Sequence, residues 1–301
     1  MTLIAITGGT GFVGKTLIER AVRAGHEVRA LARRSQADIP GVTWVSGALD
    51  TPAALDSLVR GADAVIHVAG VVNAPDRAGF AAGNIAGTQA IVDAATAAAV
   101  HRFVHVSSLA AREPALSDYG WSKAAAEHVV EASSLDWTIV RPTAIYGPGD
   151  MEMRDMFRLA KRGLALLPPP GRISVIEVGD FARLLLVLAA TDPGRVVIEA
   201  DDGVEGGWTH DAFARAIGAA VGQRVLPLAL PKGLLSLAAK GDRLVRGSKA
   251  KLTADRVGYL SHPDWTVDPA RRPDPALWQA EVPTAKGLAA TAAWYRTNGL
   301  L

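Results

Sequence analysis

The segment Thr7-Gly8-Gly9-Thr10-Gly11-Phe12-Val13-Gly14 joins an apolar run, Leu3–Ile6, to a stretch with helical periodicity. It fits the pattern G-x-G-x-x-G, whose glycines allow a tight turn, close approach of the backbone to a pyrophosphate and tight packing of helix on strand. The N-terminus of the helix would offer N–H groups and a partial positive charge to the phosphates. This strand–turn–helix context favours a dinucleotide site over a glycine turn without a ligand. The backbone contacts are expected from Gly8, Gly11, Phe12, Val13 and Gly14.

The rest of the first half alternates short apolar runs with helical stretches. Six runs rich in Val and Ile are typical of buried parallel strands: Leu3–Ile6, Glu27–Leu31, Thr43–Val45, Ala64–His67, Phe103–Val106 and Trp137–Val140. Four stretches between them favour helix: Phe12–Ala24, Pro52–Val59, Gly79–Ala99 and Tyr119–Ser133. This alternation predicts an α/β fold, a Rossmann-type doubly wound parallel sheet.

The pattern changes after Arg141-Pro142, where Gly- and Pro-rich breakers appear. A strand at Ile173–Val178, a helix at Asp180–Ala190 and a strand at Arg195–Glu199 resume the earlier style. From about Trp208, apolar helices alternate with loops. We therefore expect a nucleotide-binding domain formed by residues 1–147 and about 174–207. A smaller C-terminal substrate domain would take about 148–173 and 208–301.

Composition excludes several classes of protein. Among 301 residues, 32 are Lys or Arg and 30 are Asp or Glu, so there is no basic excess of the kind that indicates nucleic-acid binding. The chain has no cysteine, which excludes disulfides, thiolate catalysis and zinc–thiolate sites. No His/Glu spacing typical of a metal site occurs, so no metal is expected. The N-terminus lacks the features of a signal peptide and the longest apolar run, Leu184–Ala190, is too short to span a bilayer, so a cytoplasmic protein is expected.

Two arginines follow the second predicted strand and bear on the choice of nucleotide. An NAD site usually has an acidic residue there for the ribose 2′-hydroxyl. This chain has Arg33 and Arg34 instead, and no acid before Asp38. Guanidinium groups pair well with a phosphate, whereas a carboxylate would repel it. The arginines favour NADP(H) over NAD(H), although both could be ordinary solvated side chains.

A second motif predicts acid–base chemistry. Tyr119 and Lys123 are four residues apart, which places them on one face of a helix. The lysine ammonium would favour the phenolate and so lower the pKa of the tyrosine. Such a tyrosine can exchange a proton with a substrate oxygen while hydride moves at carbon. Ser107-Ser108 closes the fifth predicted strand at its carboxyl end, where ligands bind in open α/β sheets.

Together these motifs resemble the extended short-chain dehydrogenases/reductases, a family that also holds sugar epimerases, dihydroflavonol reductases and 3β-hydroxysteroid dehydrogenases. The resemblance covers about the first two hundred residues. Besides the glycine segment it rests on His67-Val68-Ala69-Gly70, Asn84 with Gly87-Thr88, Phe103–Ser108, Tyr119–Lys123, Arg141-Pro142, Tyr146–Asp150 and Val178-Gly179-Asp180.

The resemblance implies an oxidoreductase in which three side chains have different catalytic roles. It makes Tyr119 the acid/base, Lys123 the residue that holds the ribose and tunes the tyrosine, and Ser108 the group that polarises the substrate carbonyl. The remaining cofactor contacts that it implies come from Leu49, Ala69, Gly70, Pro142 and Thr143. Where the family often has Gly-Asp-Leu, this chain has Gly47-Ala48-Leu49, so the adenine contact is expected from Leu49 or Asp50. His67 and His105 are interpreted as strand residues with satisfied hydrogen bonds.

Three features lead away from a nucleotide-sugar substrate. The segment Arg141–Pro148 lacks the asparagine typical of sugar-modifying members, and Met151, Met153 and Met156 follow it. The methionines suit either an irregular apolar substrate surface or helix packing. The third feature is an apolar segment, Leu228–Leu237, which precedes several basic residues. These are Lys240, Arg243, Arg246, Lys249 and Lys251.

The expected activity is therefore NADP(H)-dependent reduction of a ketone, or the reverse oxidation, on a bulky hydrophobic substrate such as a 3-oxo-sphingolipid, a ceramide or a steroid. Two alternative functions are consistent with the same motifs. One is a redox-neutral nucleotide-sugar epimerase or dehydratase with tightly bound NAD(P), and the other is a non-catalytic NADP-binding protein. The basic apolar segment predicts either peripheral contact with the inner face of an anionic membrane or an ordinary solvated helix. We expect a monomer or homodimer.

Overall fold

A computed structural model describes residues 2–247 and 252–301 of the protein. The chain forms two compact units, each assembled from separate stretches. Unit 1 comprises Met1–Pro142, Phe181–Glu199 and Pro273–Trp278. Unit 2 comprises Thr143–Asp180, Ala200–Arg272 and Gln279–Leu301. The assignment of the cofactor to one domain and the substrate to the other stays a prediction.

In the described part of the chain, seven strands form one central sheet. They are β1 (Leu3–Thr7), β2 (Glu27–Ala32), β3 (Val42–Ser46), β4 (Ala64–His67), β5 (Arg102–Val106), β6 (Asp136–Pro142) and β11 (Val196–Ala200). Their order is β11-β6-β5-β4-β1-β2-β3, and the pairings from β3 through β6 are parallel. The order reverses direction between β1 and β4, which is the switch point of a doubly wound sheet. The predicted Rossmann-type fold is confirmed.

Apolar helix faces cover this sheet. The helices are α1 (Phe12–Arg23), α2 (Pro52–Val59), α3 (Arg77–Phe80), α4 (Gly87–Ala97), α5 (Asp118–Glu131) and α7 (Val178–Ala190). Leu55 and Leu58 of α2 and Ile91 of α4 lie in one buried cluster with Phe103 of β5. Burial of such side chains is the main source of stability, at about 25 cal/mol per Å² of apolar surface.

The predicted single helix Gly79–Ala99 is wrong in detail. A π-helical turn, Ala81–Ala86, separates α3 from α4. Asn84 in this turn is buried, and its Oδ1 accepts a hydrogen bond from the backbone N of Val71 at 2.6 Å. The wider turn accommodates this inward polar side chain, and such π-helical turns occur frequently at functional sites.

Unit 2 combines small sheets with helices. Its strands are β7 (Ala144–Tyr146), β8 (Leu164–Leu167), β9 (Arg172–Ile173), β10 (Val175–Glu177), β12 (Trp208–Thr209), β13 (Leu226–Ala229) and β14 (Asp264–Trp265). Its helices are α6 (Arg154–Lys161), α8 (His210–Val221), α9 (Lys232–Arg246), α10 (Ala254–Leu260) and α11 (Thr284–Thr297). Tyr146, Phe157, Phe213 and Tyr295 form the aromatic part of its core. Met153 and Met156 pack against that core, whereas Met151 is exposed.

The predicted strand Ile173–Val178 divides at Ser174. β9 pairs with β12 and β14, whereas β10 pairs with β7. The Ser174 hydroxyl donates to Asp201 at 2.8 Å and accepts from the backbone N of Val267 at 3.3 Å. These buried contacts place the two short strands in different sheets.

The apolar segment Leu228–Leu237 is partly strand and partly helix, since β13 ends at Ala229 and α9 begins at Lys232. Lys249 and Lys251 lie outside the described residues. Within the described ranges, no helix has both the length and the apolar character that crossing a bilayer requires.

The buried guanidinium of Arg102 connects α7 to the sheet of unit 1 by hydrogen bonds. Arg102 opens β5, and its Nε donates to the carbonyl oxygens of Leu188 at 3.0 Å and Thr191 at 2.7 Å. Its Nη1 donates to the carbonyl of Asp136 at 2.6 Å. Carbonyls at a helix C-terminus lack partners within the helix, so the guanidinium satisfies groups that would otherwise be buried without hydrogen bonds.

We expect Arg102→Met to lower the free energy of unfolding by about 2–3 kcal/mol, because it leaves these carbonyls without a charged donor. Urea denaturation followed by circular dichroism measures the change. Arg23→Met is the matched control: its ion pair with Glu19 is largely exposed, at 70% and 66% of the two side chains. The control should change stability by less than about 1 kcal/mol. Equal losses in both variants would contradict the role assigned to Arg102.

Candidate active site

The glycine loop after β1 leaves no room for a side chain at Gly8 or Gly14. Gly8 has a φ of +75°, and a Cβ there would lie 2.6 Å from the backbone N of Ala69. A Cβ on Gly14 would lie 2.1 Å from the carbonyl oxygen of Gly8. α1 therefore packs directly on the loop, and the loop packs directly on the segment that follows β4. Glycine is required at both positions.

The N-terminus of α1 is open to an anion. Gly11 is its N-cap, and neither a capping side chain nor an acidic residue occupies its first turn. The first hydrogen bond of the helix runs from the N of Lys15 to the carbonyl of Gly11 at 3.0 Å. The N–H groups of Phe12, Val13 and Gly14 precede it and have no acceptor within the helix. These donors and the glycine-rich loop fit the pyrophosphate of a dinucleotide.

The residues predicted around the adenosine lie along the same edge of the sheet. Arg33 and Arg34 follow β2 directly and are exposed, and neither side chain forms an ion pair within the described residues. Leu49 follows β3 and packs against Gly87, where a Cβ would lie 2.7 Å from its Cδ1. Contact of these three side chains with a nucleotide stays a prediction.

The residues predicted around the nicotinamide follow β4 and β6. Ala69 donates its backbone N–H to the Thr7 hydroxyl at 3.2 Å. A Cβ on Gly70 would lie 3.7 Å from Nζ of Lys123, so this loop lies against the predicted catalytic lysine. Pro142 ends β6 and is buried, and Thr143 is half-buried. Their contacts with the cofactor also stay predictions.

The two serines after β5 have different environments. Ser107 is buried, and its hydroxyl donates to Oε1 of Glu127. Ser108 is half-buried, and its Oγ accepts from the backbone N of Ala110 at 3.2 Å, which caps the 3₁₀ turn Leu109–Arg112. The Ser108 hydroxyl proton is not needed for that bond and is available to a substrate oxygen. This favours Ser108 over Ser107 as the polarising serine.

Close packing brings the start of α5 against this turn. A Cβ on Gly120 would lie 2.7 Å from the carbonyl of Ala110. Its neighbour Tyr119 is half-buried and lies 6.1 Å from Phe80 between ring centroids. The glycine therefore lets the Tyr119 turn approach the segment that begins at Ser108.

Lys123 is buried at the centre of the predicted site. Its Nζ donates to the carbonyl of Val106 at 2.8 Å, at the carboxyl end of β5. Burial lowers the pKa of Lys123 to about 8, and the carboxylate of Glu127 opposes that shift. The ammonium group therefore has a proton that is more easily lost than that of a solvated lysine.

The amide of Asn84 supports this arrangement from the π-helical turn. Its Nδ2 donates to the carbonyl of Val71 at 3.0 Å and to the hydroxyl of Ser122 at 2.8 Å. The Ser122 hydroxyl donates in turn to the carbonyl of Tyr119 at 2.8 Å. From the sequence, Asn84 is recognisable only as part of a motif, because nothing local indicates which residues its amide joins.

A buried ionic network, which the sequence patterns did not predict, lies beneath the serines. Arg141 donates to Glu127 at 2.6 Å and 2.9 Å and to Glu199 at 3.5 Å. Arg112 pairs with the other oxygen of Glu199 at 3.3 Å. The spacing of Glu127 four residues after Lys123 could have indicated one member. Glu199 comes from a distant edge strand, and no local signal points to it.

The prediction for the two histidines is right for His67 and wrong for His105. His67 bonds the hydroxyls of Thr7 at 2.6 Å and Thr88 at 3.1 Å, and burial, aided by the charge of Lys123, lowers its pKa to about 3. His105 stacks on His67 at 5.3 Å between ring centroids. Both of its ring nitrogens are buried without a hydrogen-bond partner among the described residues. Burial also holds the pKa of His105 well below its ordinary value, so both rings are neutral.

The chain is similar to a known NAD(P)H-binding family and to named reductases. A family model described as NAD(P)H-binding matches residues 8–183, more than half of the chain. A ceramide reductase from Caulobacter vibrioides is 37% identical over 99% of this chain and 96% of its own length. A 4-hydroxy-2-methyl-3-oxo-4-farnesyl-3,4-dihydroquinoline-1-oxide ketoreductase from Stigmatella aurantiaca is 32% identical over 66% of this chain and 67% of its own.

The fold has solved counterparts as well. The structure of a human epimerase family protein with NADPH superimposes with a TM-score of 0.76 at 20% identity, covering 97% of this chain and 99% of that one. The residues matched by the family model include the glycine loop, Ser108, Tyr119 and Lys123. The chain therefore belongs to the NAD(P)H-binding family of extended short-chain dehydrogenases/reductases, enzymes that act on C=O or CH–OH groups.

Proposed function

We propose that this protein uses NADPH to reduce the ketone of a long-chain lipid of the ceramide class to the corresponding alcohol. The observation that carries the proposal is the 37% identity to a ceramide reductase over 99% of the chain. The reaction converts one ketone, one NADPH and one proton to one alcohol and one NADP⁺. The bound nicotinamide would supply the hydride to the carbonyl carbon.

Three side chains of unit 1 would bind and protonate the carbonyl oxygen of the ketone. The Ser108 hydroxyl donates a hydrogen bond to the carbonyl oxygen, and the Tyr119 hydroxyl delivers the proton as the alkoxide forms. Lys123 keeps a positive charge near that proton and favours the phenolate that remains on Tyr119. Arg33 would bind the 2′-phosphate of NADPH, since it is exposed just beyond β2 and no acidic side chain in the described part of the chain pairs with it.

The direct test is to supply the purified enzyme with NADPH and a 3-oxo-ceramide in detergent micelles. We expect loss of NADPH absorbance together with a product two mass units heavier than the ketone. A redox-neutral epimerase would consume no NADPH, and a non-catalytic protein would bind the nucleotide without turnover. A steroid ketone reduced in preference to the 3-oxo-ceramide would overturn the substrate class but not the reaction.

Tyr119→Phe should lower kcat by about 100-fold or more, because general acid catalysis contributes 10²–10⁴-fold. The affinity for NADPH, measured by fluorescence titration, should stay close to that of the wild type. Tyr295→Phe is the matched control, since that hydroxyl is buried in the core of unit 2 without a hydrogen-bond partner among the described residues. Full activity in Tyr119→Phe would remove the acid/base assignment.

Arg33→Ala should weaken NADPH binding by roughly ten- to a hundredfold while leaving NADH little changed, because a charge-assisted contact with phosphate contributes about 1.5–3 kcal/mol. The wild-type preference should shrink with rising salt. Arg60→Ala is the control, because it removes the same charge near the amino end of β4, whereas the predicted nucleotide site lies at the carboxyl ends of the strands. This variant should change the affinity for neither nucleotide. Equal loss of both nucleotides in Arg33→Ala, or a wild type that prefers NADH, would contradict NADP specificity.

Glu127→Gln should shift the pH dependence of kcat/KM for reduction. The carboxylate of Glu127 raises the pKa of Lys123 against the effect of burial, which leaves it at about 8. Without that carboxylate the ammonium loses its proton at lower pH, so activity should begin to fall at lower pH than in the wild type. Glu131→Gln, one helical turn further and exposed, is the control. An unchanged profile in Glu127→Gln would mean that Glu127 has only a structural role.

A further inference from the structure

Two short strands of unit 2 place four leucines side by side. β8 and β13 are parallel, and their register sets Leu164 opposite Leu226 and Leu166 opposite Leu228. Alternate residues of a strand point to the same face, so all four side chains share one face of this two-stranded sheet. Their exposed fractions are 38%, 59%, 48% and 41% in the order just given. We call these four residues the leucine ladder.

The opposite face of the same strands is already used by the core. Val225 is buried in the cluster of Phe157 and Phe213, and Ala165 packs against that cluster. A sheet with one face on a core normally presents polar side chains outward. All four positions on this face of the paired strands are leucine instead, and an exposed apolar patch of this kind indicates an interaction surface.

Unpaired positive charge borders the leucine ladder. Arg162 and Arg224 stand two residues before Leu164 and Leu226, and Lys161 precedes Arg162. All three are exposed and form no ion pair within residues 2–247 and 252–301. The segments 161–167 and 223–229 contain no acidic residue. The border would therefore attract anions.

α9 follows β13 in the chain, with Leu230 and Pro231 between them, and the N of Leu230 donates to the carbonyl of Leu167 at 2.9 Å. Leu234, Leu237, Leu244 and Val245 are exposed, and their spacing places them on one face of the helix. The other face packs through Leu235 and Ala239 against Val257 of α10. Lys232 and Lys240 of this helix are exposed as well.

We propose that the leucine ladder and the exposed face of α9 dock unit 2 onto an anionic lipid bilayer. The inference rests on the proposed function, because a ceramide-class lipid resides in a membrane. A bilayer satisfies both parts of the surface: the acyl region receives the leucines, and the headgroups receive the arginines and lysines. A symmetric dimer through the same face would bring Lys161, Arg162 and Arg224 of both copies together, and this like charge opposes it.

The absence of cysteine allows a site-specific test. Leu166→Cys introduces a single thiol on the leucine ladder, which can be labelled with an environment-sensitive nitrobenzoxadiazole dye. Vesicles of phosphatidylglycerol and phosphatidylcholine should blue-shift the dye and raise its fluorescence, whereas pure phosphatidylcholine vesicles should do so far less. Ile39→Cys, an exposed apolar site of unit 1, is the matched control and should not respond.

Vesicle sedimentation of the full-length, unlabelled chain gives the second measurement. We expect Leu226→Gln with Leu228→Gln to reduce the bound fraction at least fivefold, and Arg162→Gln with Arg224→Gln to remove the preference for anionic lipid. Circular dichroism checks that both variants fold. Binding that is unchanged in the leucine variant, absent in the wild type, or replaced by a leucine-dependent dimer in light scattering would overturn the proposal.

Two assays separate this inference from the proposed function. Activity on a short-chain, water-soluble 3-oxo-amide should be the same in the leucine variant and the wild type, since no membrane is involved. If the enzyme reduces no ketone at all, the proposed function fails, while the vesicle result still decides the docking surface.

Discussion

The burial of the Lys123 ammonium is the constraint around which unit 1 is organised. A charge removed from water needs hydrogen-bond acceptors and a nearby opposite charge, or it loses its proton. The carbonyl of Val106 and the carboxylate of Glu127 meet this need. Glu127 is itself buried, and Arg141 stabilises it by a two-point contact. The interaction thus extends from Lys123 through α5 to Arg141 in β6.

This arrangement also separates the roles of the two adjacent serines. Glu127 accepts the hydrogen bond of Ser107, and so that hydroxyl belongs to the buried network. Ser108 caps a 3₁₀ turn as an acceptor and keeps its proton for another partner. The predicted polarising serine is therefore free to donate, because its neighbour Ser107 already donates to Glu127.

Close backbone packing is the second constraint on the site. Gly8, Gly14 and Gly120 each lie where a Cβ would overlap a backbone atom. The first two let the N-terminus of α1 reach the edge of the sheet, which is where its N–H groups can meet phosphates. The third lets the Tyr119 turn approach the end of β5. Larger side chains at these three positions would prevent this packing of α1 and α5.

The sequence by itself determined the order of strands and helices, the glycine loop, the Tyr119 and Lys123 spacing and the arginines after β2, because these depend on residues close together in the chain. Only the tertiary structure decided which distant residues meet. Glu199 reaches Arg141 through the pairing of an edge strand, His105 stacks on His67, and Leu164 pairs with Leu226. Local periodicity cannot predict such contacts, because strand register and side-chain burial arise from the packing of segments that are far apart in the chain.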